Sequence, residues 1–143
     1  PVTIDVIERD VLVAVIPRDD VLSRRKVVPL SALSGRAFII YSPVSVLHAT
    51  IRLACHRAGF TPLVAQEAVQ VQTILSLVEA GLGVALIPAR SARFAGPGVR
   101  IVALDDAIPI AMGMARAADA SPLALNFTRT ALECATDIQS LSK

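Results

Sequence analysis

The sequence predicts an α/β fold with a mainly parallel sheet, because short apolar runs alternate with segments of helical periodicity. Residues 11–16 form a β-branched run that ends at Pro17, which is typical of a strand covered on both faces and therefore of a parallel one. Residues 37–41 form a second such run. Polar capping residues follow it, and the apolar spacing is then helical until Gly59.

The same order of elements continues along the rest of the chain. Residues 63–65 are predicted as a strand, 66–68 as a loop, and 71–78 as a helix that Gly81 ends. Downstream we expect strands at 83–88, 99–104 and 108–114, a short helix at 89–94, and a last helix with Ser121 as N-cap, Pro122 as first residue, and Leu123, Phe127, Ala131 and Leu132 facing inward.

Composition excludes several classes of protein. Of the 143 residues 54% are hydrophobic and 18% charged, so the chain can bury a core and is not intrinsically disordered. Aromatic residues make up 3%, and Lys plus Arg exceed Asp plus Glu by only 14 to 12, so this chain itself is not expected to contact nucleic acid. Charged residues interrupt every apolar run, which predicts a soluble protein without a membrane span. Pro1 begins inside an alternating pattern, so we expect a piece of a longer polypeptide.

Motifs for catalysis, cofactors and metals are missing from the sequence. Cys55 and Cys134 lack metal or disulfide spacing and are interpreted as buried small hydrophobic residues. His48 and His56 lie eight residues apart on one predicted helix, so they do not form a metal pair at i, i+4 spacing. There is no nucleophile elbow, phosphate-binding loop or dinucleotide fingerprint. We therefore expect no catalytic residue, no metal and no cofactor.

Two loops predict a binding site for a small anion. In an open parallel sheet, ligands bind beyond the carboxyl ends of the strands, which places loops 41–45 and 66–70 on one rim. Each loop opens a helix, whose first N–H groups attract a carboxylate or phosphate. Further donors are available from Ser42, Ser45, Gln70, Gln72 and Thr73. Equally, Ser42 or Ser45 could serve as a helix cap alone. Glu67 would repel an anion, so we expect it to face a hinge or a partner residue.

The stretch from Gln66 to Pro88, QEAVQVQTILSLVEAGLGVALIP, resembles the signature of the effector-binding domain of LysR-type transcriptional regulators. Residues 11–17, 20–22, 30–33, 37–41 and 98–104 and the last helix also resemble that family. The resemblance implies a two-lobed fold of the periplasmic-binding-protein type 2 class, Rossmann-like in each lobe. It implies that residues 11–107 form the second lobe, and that 1–10 and 108–143 are a remnant of the first. The effector-facing residues on the second lobe would be Ser42, Pro43, Val44, Ser45, Glu67, Val69 and Gln70.

The expected function is that of the inducer-binding regulatory domain of a bacterial, cytoplasmic LysR-type regulator with no enzymatic activity. Its effector would be a small carboxylate held between two lobes, and the rim loops most resemble members that respond to aromatic-catabolite acids such as muconate or benzoate. DNA would be bound by a winged helix-turn-helix that this chain lacks, and the parent is expected to be a dimer or tetramer. Two alternatives stay open, a solute-binding protein of a transporter, which shares the fold, and an enzyme on this fold, against which the lack of a nucleophile–base pair counts.

Overall fold

A computed structural model describes the backbone of residues 1–141 and the side chains up to residue 137. The elements follow one another as β1 (Val2–Pro17), β2 (Val27–Val28), β3 (Ala37–Tyr41), α1 (Val46–Arg57), β4 (Leu63–Ala68), α2 (Val71–Glu79), β5 (Ala85–Pro88), β6 (Val99–Leu104), β7 (Pro109–Ala117) and α3 (Pro122–Leu141). Short 3₁₀ turns lie at Val21–Arg24, Leu30–Leu33 and Ala89–Phe94. No helix in this described part is long and apolar enough to span a bilayer.

The chain divides into two compact units. The larger is Val11–Ile108, and the smaller combines Pro1–Asp10 with the described residues from Pro109 onward. Ile108 belongs to the larger unit, where its carbonyl oxygen accepts a 3.0 Å hydrogen bond from the Leu12 amide.

The sheet of the larger unit is mixed rather than mainly parallel. The strand order is β2-β6-β1-β5, in which β1 runs antiparallel to both β5 and β6 while β2 is parallel to β6. β3 and β4 form a parallel pair, and a parallel bridge between Phe38 and Val84 joins β3 to the segment that leads into β5. The expectation that β1 is parallel is therefore wrong. Burial on both faces makes a strand continuously apolar whichever way its neighbours run.

The core of the larger unit lies on both faces of these strands. Its strand residues are almost fully buried and include Leu12, Ala14, Val15, Ile16, Phe38, Ile39, Ile40, Leu86 and Ile87. α1 covers them with Ile51 and Cys55, and α2 covers them with Ile74, Leu75 and Val78. These are members of the apolar stripes that the sequence predicts, so the amphipathic reading of both helices is confirmed.

Strand β4 is longer than predicted. Residues 66–68, expected to be a loop, continue the strand: Gln66 pairs with Ile39, Glu67 with Ile40, and Ala68 with Tyr41. A register shift follows Phe38, so one residue of β4 bulges. Among the described strands β4 pairs with β3 alone, and an edge strand tolerates polar, exposed residues.

The smaller unit holds β7 against β1. The Arg116 guanidinium pairs with the Asp5 carboxylate at 3.1 Å, and the Ala118 amide donates to the Pro1 carbonyl oxygen at 3.1 Å. On α3 the Thr128 side chain is buried, whereas Leu123 and Phe127 are 80% and 67% exposed. The prediction that these two residues face inward is wrong for the described residues, because an apolar stripe does not specify which surface will cover it.

Candidate functional site

The two predicted loops lie side by side at the carboxyl ends of β3 and β4. Tyr41 pairs with Ala68 in the last position of the parallel ladder. One residue further along, the Ser42 amide donates a 2.9 Å hydrogen bond to the Ala68 carbonyl oxygen. Both strands therefore end at the same level, and the starts of α1 and α2 follow within a few residues of that point. We call residues 42–45 and 69–70 together the rim.

The two rim serines have different surroundings. Ser45 is the N-cap of α1, where its hydroxyl oxygen accepts a 3.2 Å hydrogen bond from the Leu47 amide. The Ser42 hydroxyl is buried and has no hydrogen-bond partner among the described residues. Capping therefore accounts for Ser45 but not for Ser42. A buried hydroxyl without a partner costs free energy. A hydrogen-bond acceptor placed next to the Ser42 hydroxyl would therefore be stabilised.

The second half of the rim leaves a helix start without a side-chain cap. Gln70 is the N-cap residue of α2, yet its side chain makes no capping hydrogen bond. Its backbone carbonyl oxygen accepts from the Ile74 amide at 3.2 Å, as the first bond of the helix. Because a helix leaves its first amides unbonded within itself, the start of α2 offers donors to an anion.

The rim also exposes apolar side chains. Val44 is 87% and Val69 70% exposed, and Pro43 is exposed as well. Glu67 lies on β4 just before the rim, and its side chain is exposed. Residues 41–48 and 66–73 contain no Lys or Arg. The rim thus combines amide and hydroxyl donors with apolar surface, and it has no cationic side chain of its own.

His48 is a rim neighbour that the sequence analysis did not select. It lies in the first turn of α1, and its ring nitrogen Nδ1 is 2.7 Å from the Tyr41 carbonyl oxygen. Tyr41 is buried, and burial raises the pKa of its phenol to about 12, so that hydroxyl stays neutral at physiological pH. The sequence signal that could have identified His48 is its position in the first helical turn after a buried strand.

Other reactive chemistry is sparse in the described part of the chain. Burial raises the pKa of the Cys55 thiol to about 11, which keeps it protonated and weakly nucleophilic. Cys134 on α3 is exposed, so the prediction that both cysteines are buried is wrong for Cys134. No group of three or more His, Cys, Asp and Glu side chains is arranged to hold a metal ion in the described residues. The rim presents hydrogen-bond donors and apolar surface, and its described residues contain no hydrogen-bonded pair of a nucleophile and a base.

β3-α1 and β4-α2 are two parallel β-α units whose helices begin beside the paired ends of their strands, as in an α/β ligand-binding lobe. The family described as LysR substrate binding domain matches residues 2–135, and the chain belongs to this family. The resemblance seen in the sequence is therefore confirmed. The chain is 34% identical over 93 residues to the HTH-type transcriptional regulator XapR of Escherichia coli strain K12, covering 65% of this chain and 32% of XapR.

Solved effector-binding domains share the fold. The regulatory domain of CcmR from Synechocystis PCC6803, solved in complex with 2-PG, superimposes with a TM-score of 0.83 at 19% identity, covering 94% of this chain and 67% of that domain. The effector binding domain of QuiR in complex with shikimate gives 0.83 at 16% identity, covering 95% and 66%. The chain spans about a third of the length of XapR. The relatives are transcriptional regulators rather than enzymes, so an enzyme or a transporter protein is not supported.

Proposed function

We propose that this chain is the inducer-binding regulatory part of a cytoplasmic LysR-type transcription factor. In this proposal the unit Val11–Ile108 is the second lobe, and the smaller unit is a portion of the first. DNA binding belongs to a winged helix-turn-helix elsewhere in the parent polypeptide, and the parent works as a homo-oligomer. Membership of the family and the regulator relatives support this assignment.

The effector is a small carboxylate seated on the rim. The observation that carries this proposal is the Ser42 hydroxyl, buried without a partner at the point where the starts of α1 and α2 converge. A carboxylate there would accept hydrogen bonds from that hydroxyl and from helix amides. These donors favour an anion even though the rim has no cationic side chain. The residues assigned to the site are Ser42, Pro43, Val44, Ser45, Glu67, Val69 and Gln70.

The exposed valines favour an effector with an apolar body. Val44 and Val69 would lose water on contact with a ring or alkyl group, which contributes roughly 25 cal/mol per Å² of apolar surface. An aromatic-catabolite acid meets both demands, either benzoate with its ring or muconate with its diene chain. Two structural neighbours, the CcmR domain with 2-PG and the QuiR domain with shikimate, were solved with small molecules, which supports the expectation of a small ligand.

The test is a titration of benzoate into the isotope-labelled chain, followed by NMR, with neutral benzamide as the matched control. We expect benzoate shifts confined to the rim and the first turns of α1 and α2, with millimolar affinity because the rim is open to solvent. Ser42→Ala should weaken binding about fivefold, equivalent to roughly 1 kcal/mol for one hydrogen bond. Ser76→Ala on the exposed face of α2 should change nothing.

Two results would contradict the proposal. One is equal binding of benzamide, which would show that the negative charge is not recognised. The other is a cluster of shifts around Arg90, Arg93 and Arg100, which would place the anion on cationic side chains away from the rim.

A further inference from the structure

We propose that His48 is the positioning residue of the rim, a role that rests on the proposed function. Its Nδ1–H holds the peptide group that joins Tyr41 to Ser42, and thereby sets the position of the Ser42 hydroxyl at the effector site. His48 acts through this peptide group rather than by touching the effector.

That peptide group is held from two sides. Its carbonyl oxygen, on Tyr41, lies 2.7 Å from His48 Nδ1, and its amide, on Ser42, donates to the Ala68 carbonyl oxygen at 2.9 Å. β3 meets the chain on its other side through the bridge between Phe38 and Val84, three residues before Tyr41. At Tyr41 the imidazole therefore supplies a donor where a neighbouring strand would supply one in a longer ladder.

His48 also closes a ring of hydrogen bonds around the first half of the rim. The Ser45 amide donates to the Ser42 carbonyl oxygen at 2.9 Å, and the His48 amide donates to the Ser45 carbonyl oxygen at 3.1 Å. The His48 side chain then returns to Tyr41. Residues 41–48 are thus linked by a closed ring of hydrogen bonds. Displacement of the imidazole would therefore make the positions of both Ser42 and the cap residue Ser45 more mobile.

The contact specifies one tautomer of the ring. A carbonyl oxygen is an acceptor, so the hydrogen must reside on Nδ1, which leaves Nε2 as the acceptor in the neutral ring. The imidazolium form also carries hydrogen on Nδ1. The bond to Tyr41 is therefore available in both charge states, which distinguishes a positioning role from a direct ionic contact with the effector.

Two amide substitutions separate these roles. In His48→Asn the amide nitrogen is as many bonds from Cα as Nδ1, whereas in His48→Gln it corresponds to Nε2. We expect Asn to keep benzoate affinity within about twofold and Gln to weaken it about fivefold or more. Exchange of the Ser42 amide hydrogen should be faster in the Gln variant and close to wild type in the Asn variant.

The opposite order would overturn the proposal, because affinity kept by Gln and lost by Asn indicates that Nε2 contacts the effector directly. Unchanged affinity and unchanged Ser42 exchange in both variants would also overturn it. Nitrogen chemical shifts of the wild-type ring need no variant. A neutral ring with its hydrogen on Nε2 excludes the Tyr41 bond, so the proposal is testable even if a variant does not fold.

The same experiments distinguish this inference from the proposed function. If benzoate leaves the rim of the wild-type chain unshifted, the assigned effector site is wrong. Ring tautomer and Ser42 exchange would still show whether His48 holds the peptide group. If benzoate binds the rim while the ring carries its hydrogen on Nε2, the site stands and the positioning role fails.

Discussion

Replacing Gly83 by alanine should destabilise the larger unit by about 2 kcal/mol. A Cβ atom there would lie 2.5 Å from the Ala37 carbonyl oxygen and 2.9 Å from the carbonyl carbon, so the backbone must shift. That oxygen accepts from the Val84 amide at 2.8 Å, and the Ile39 amide donates to Val84 at 2.8 Å. Each buried group left unpaired costs about 1–3 kcal/mol. Alanine also lowers the conformational entropy of the unfolded chain, which offsets roughly 0.4–1 kcal/mol of this loss.

Urea denaturation followed by circular dichroism measures this loss, with Gly81→Ala as the matched control two residues away. Gly81 has φ +79° and no atom within 4 Å of an added Cβ, so its substitution carries conformational strain without a clash. We expect the control to lose about 1 kcal/mol, less than the Gly83 variant. A Gly83→Ala protein as stable as the control or more stable would refute the reasoning, because the close approach to Ala37 would then not constrain the fold.

Three further predictions concern a carboxyl group, a helix cap and an exposed apolar face. Burial raises the pKa of the Asp20 carboxyl, but its bonds to Arg36 and the Leu22 amide outweigh this and hold the pKa below its ordinary value. Its stabilising effect is therefore present above the unfolded pKa and lost as pH falls through the folded one, so Asp20→Asn should lower the melting temperature at neutral pH and much less at a pH below the folded pKa. Ser45→Ala should cost about 1 kcal/mol in urea denaturation through loss of the α1 cap, and an unchanged midpoint would contradict this. Phe127→Ser should reduce self-association in light scattering, because this side chain is 67% exposed; a wild-type chain that stays monomeric at high concentration would contradict it.

Much of the α/β order was predictable because burial imposes a period on the sequence. The apolar stripes of α1 and α2 and the buried runs at 11–16 and 37–41 are strong signals of this kind. Strand direction was not predictable from the same signal. A run covered on both faces looks alike in parallel and antiparallel pairing, and β1 has two antiparallel neighbours in the larger unit.

Strand β4 shows a second limit, which concerns edge strands. Gln66 and Glu67 follow a short apolar run and carry the composition of a loop, yet both pair with β3. Backbone hydrogen bonds to one neighbouring strand are enough to keep these residues extended. Their polar side chains are exposed and stay hydrated. A prediction from the hydrophobic pattern alone therefore ends such a strand too early. It placed the start of the second rim loop three residues before the position seen in the structure.

The first rim loop shows what the sequence pattern cannot resolve even where a loop is placed correctly. Sequence chemistry treated Ser42 and Ser45 alike, as donors or caps, because both precede the same helix. In the structure their surroundings differ. Ser45 caps the α1 amides, while Ser42 lies beside the end of β4 and its hydroxyl has no acceptor among the described residues. His48 completes that difference, since its ring returns to the strand end and fixes the peptide group before Ser42. His48, six positions further along the chain, thus sets the position of the Ser42 hydroxyl, and such a contact becomes visible only when strand, loop and helix are placed together.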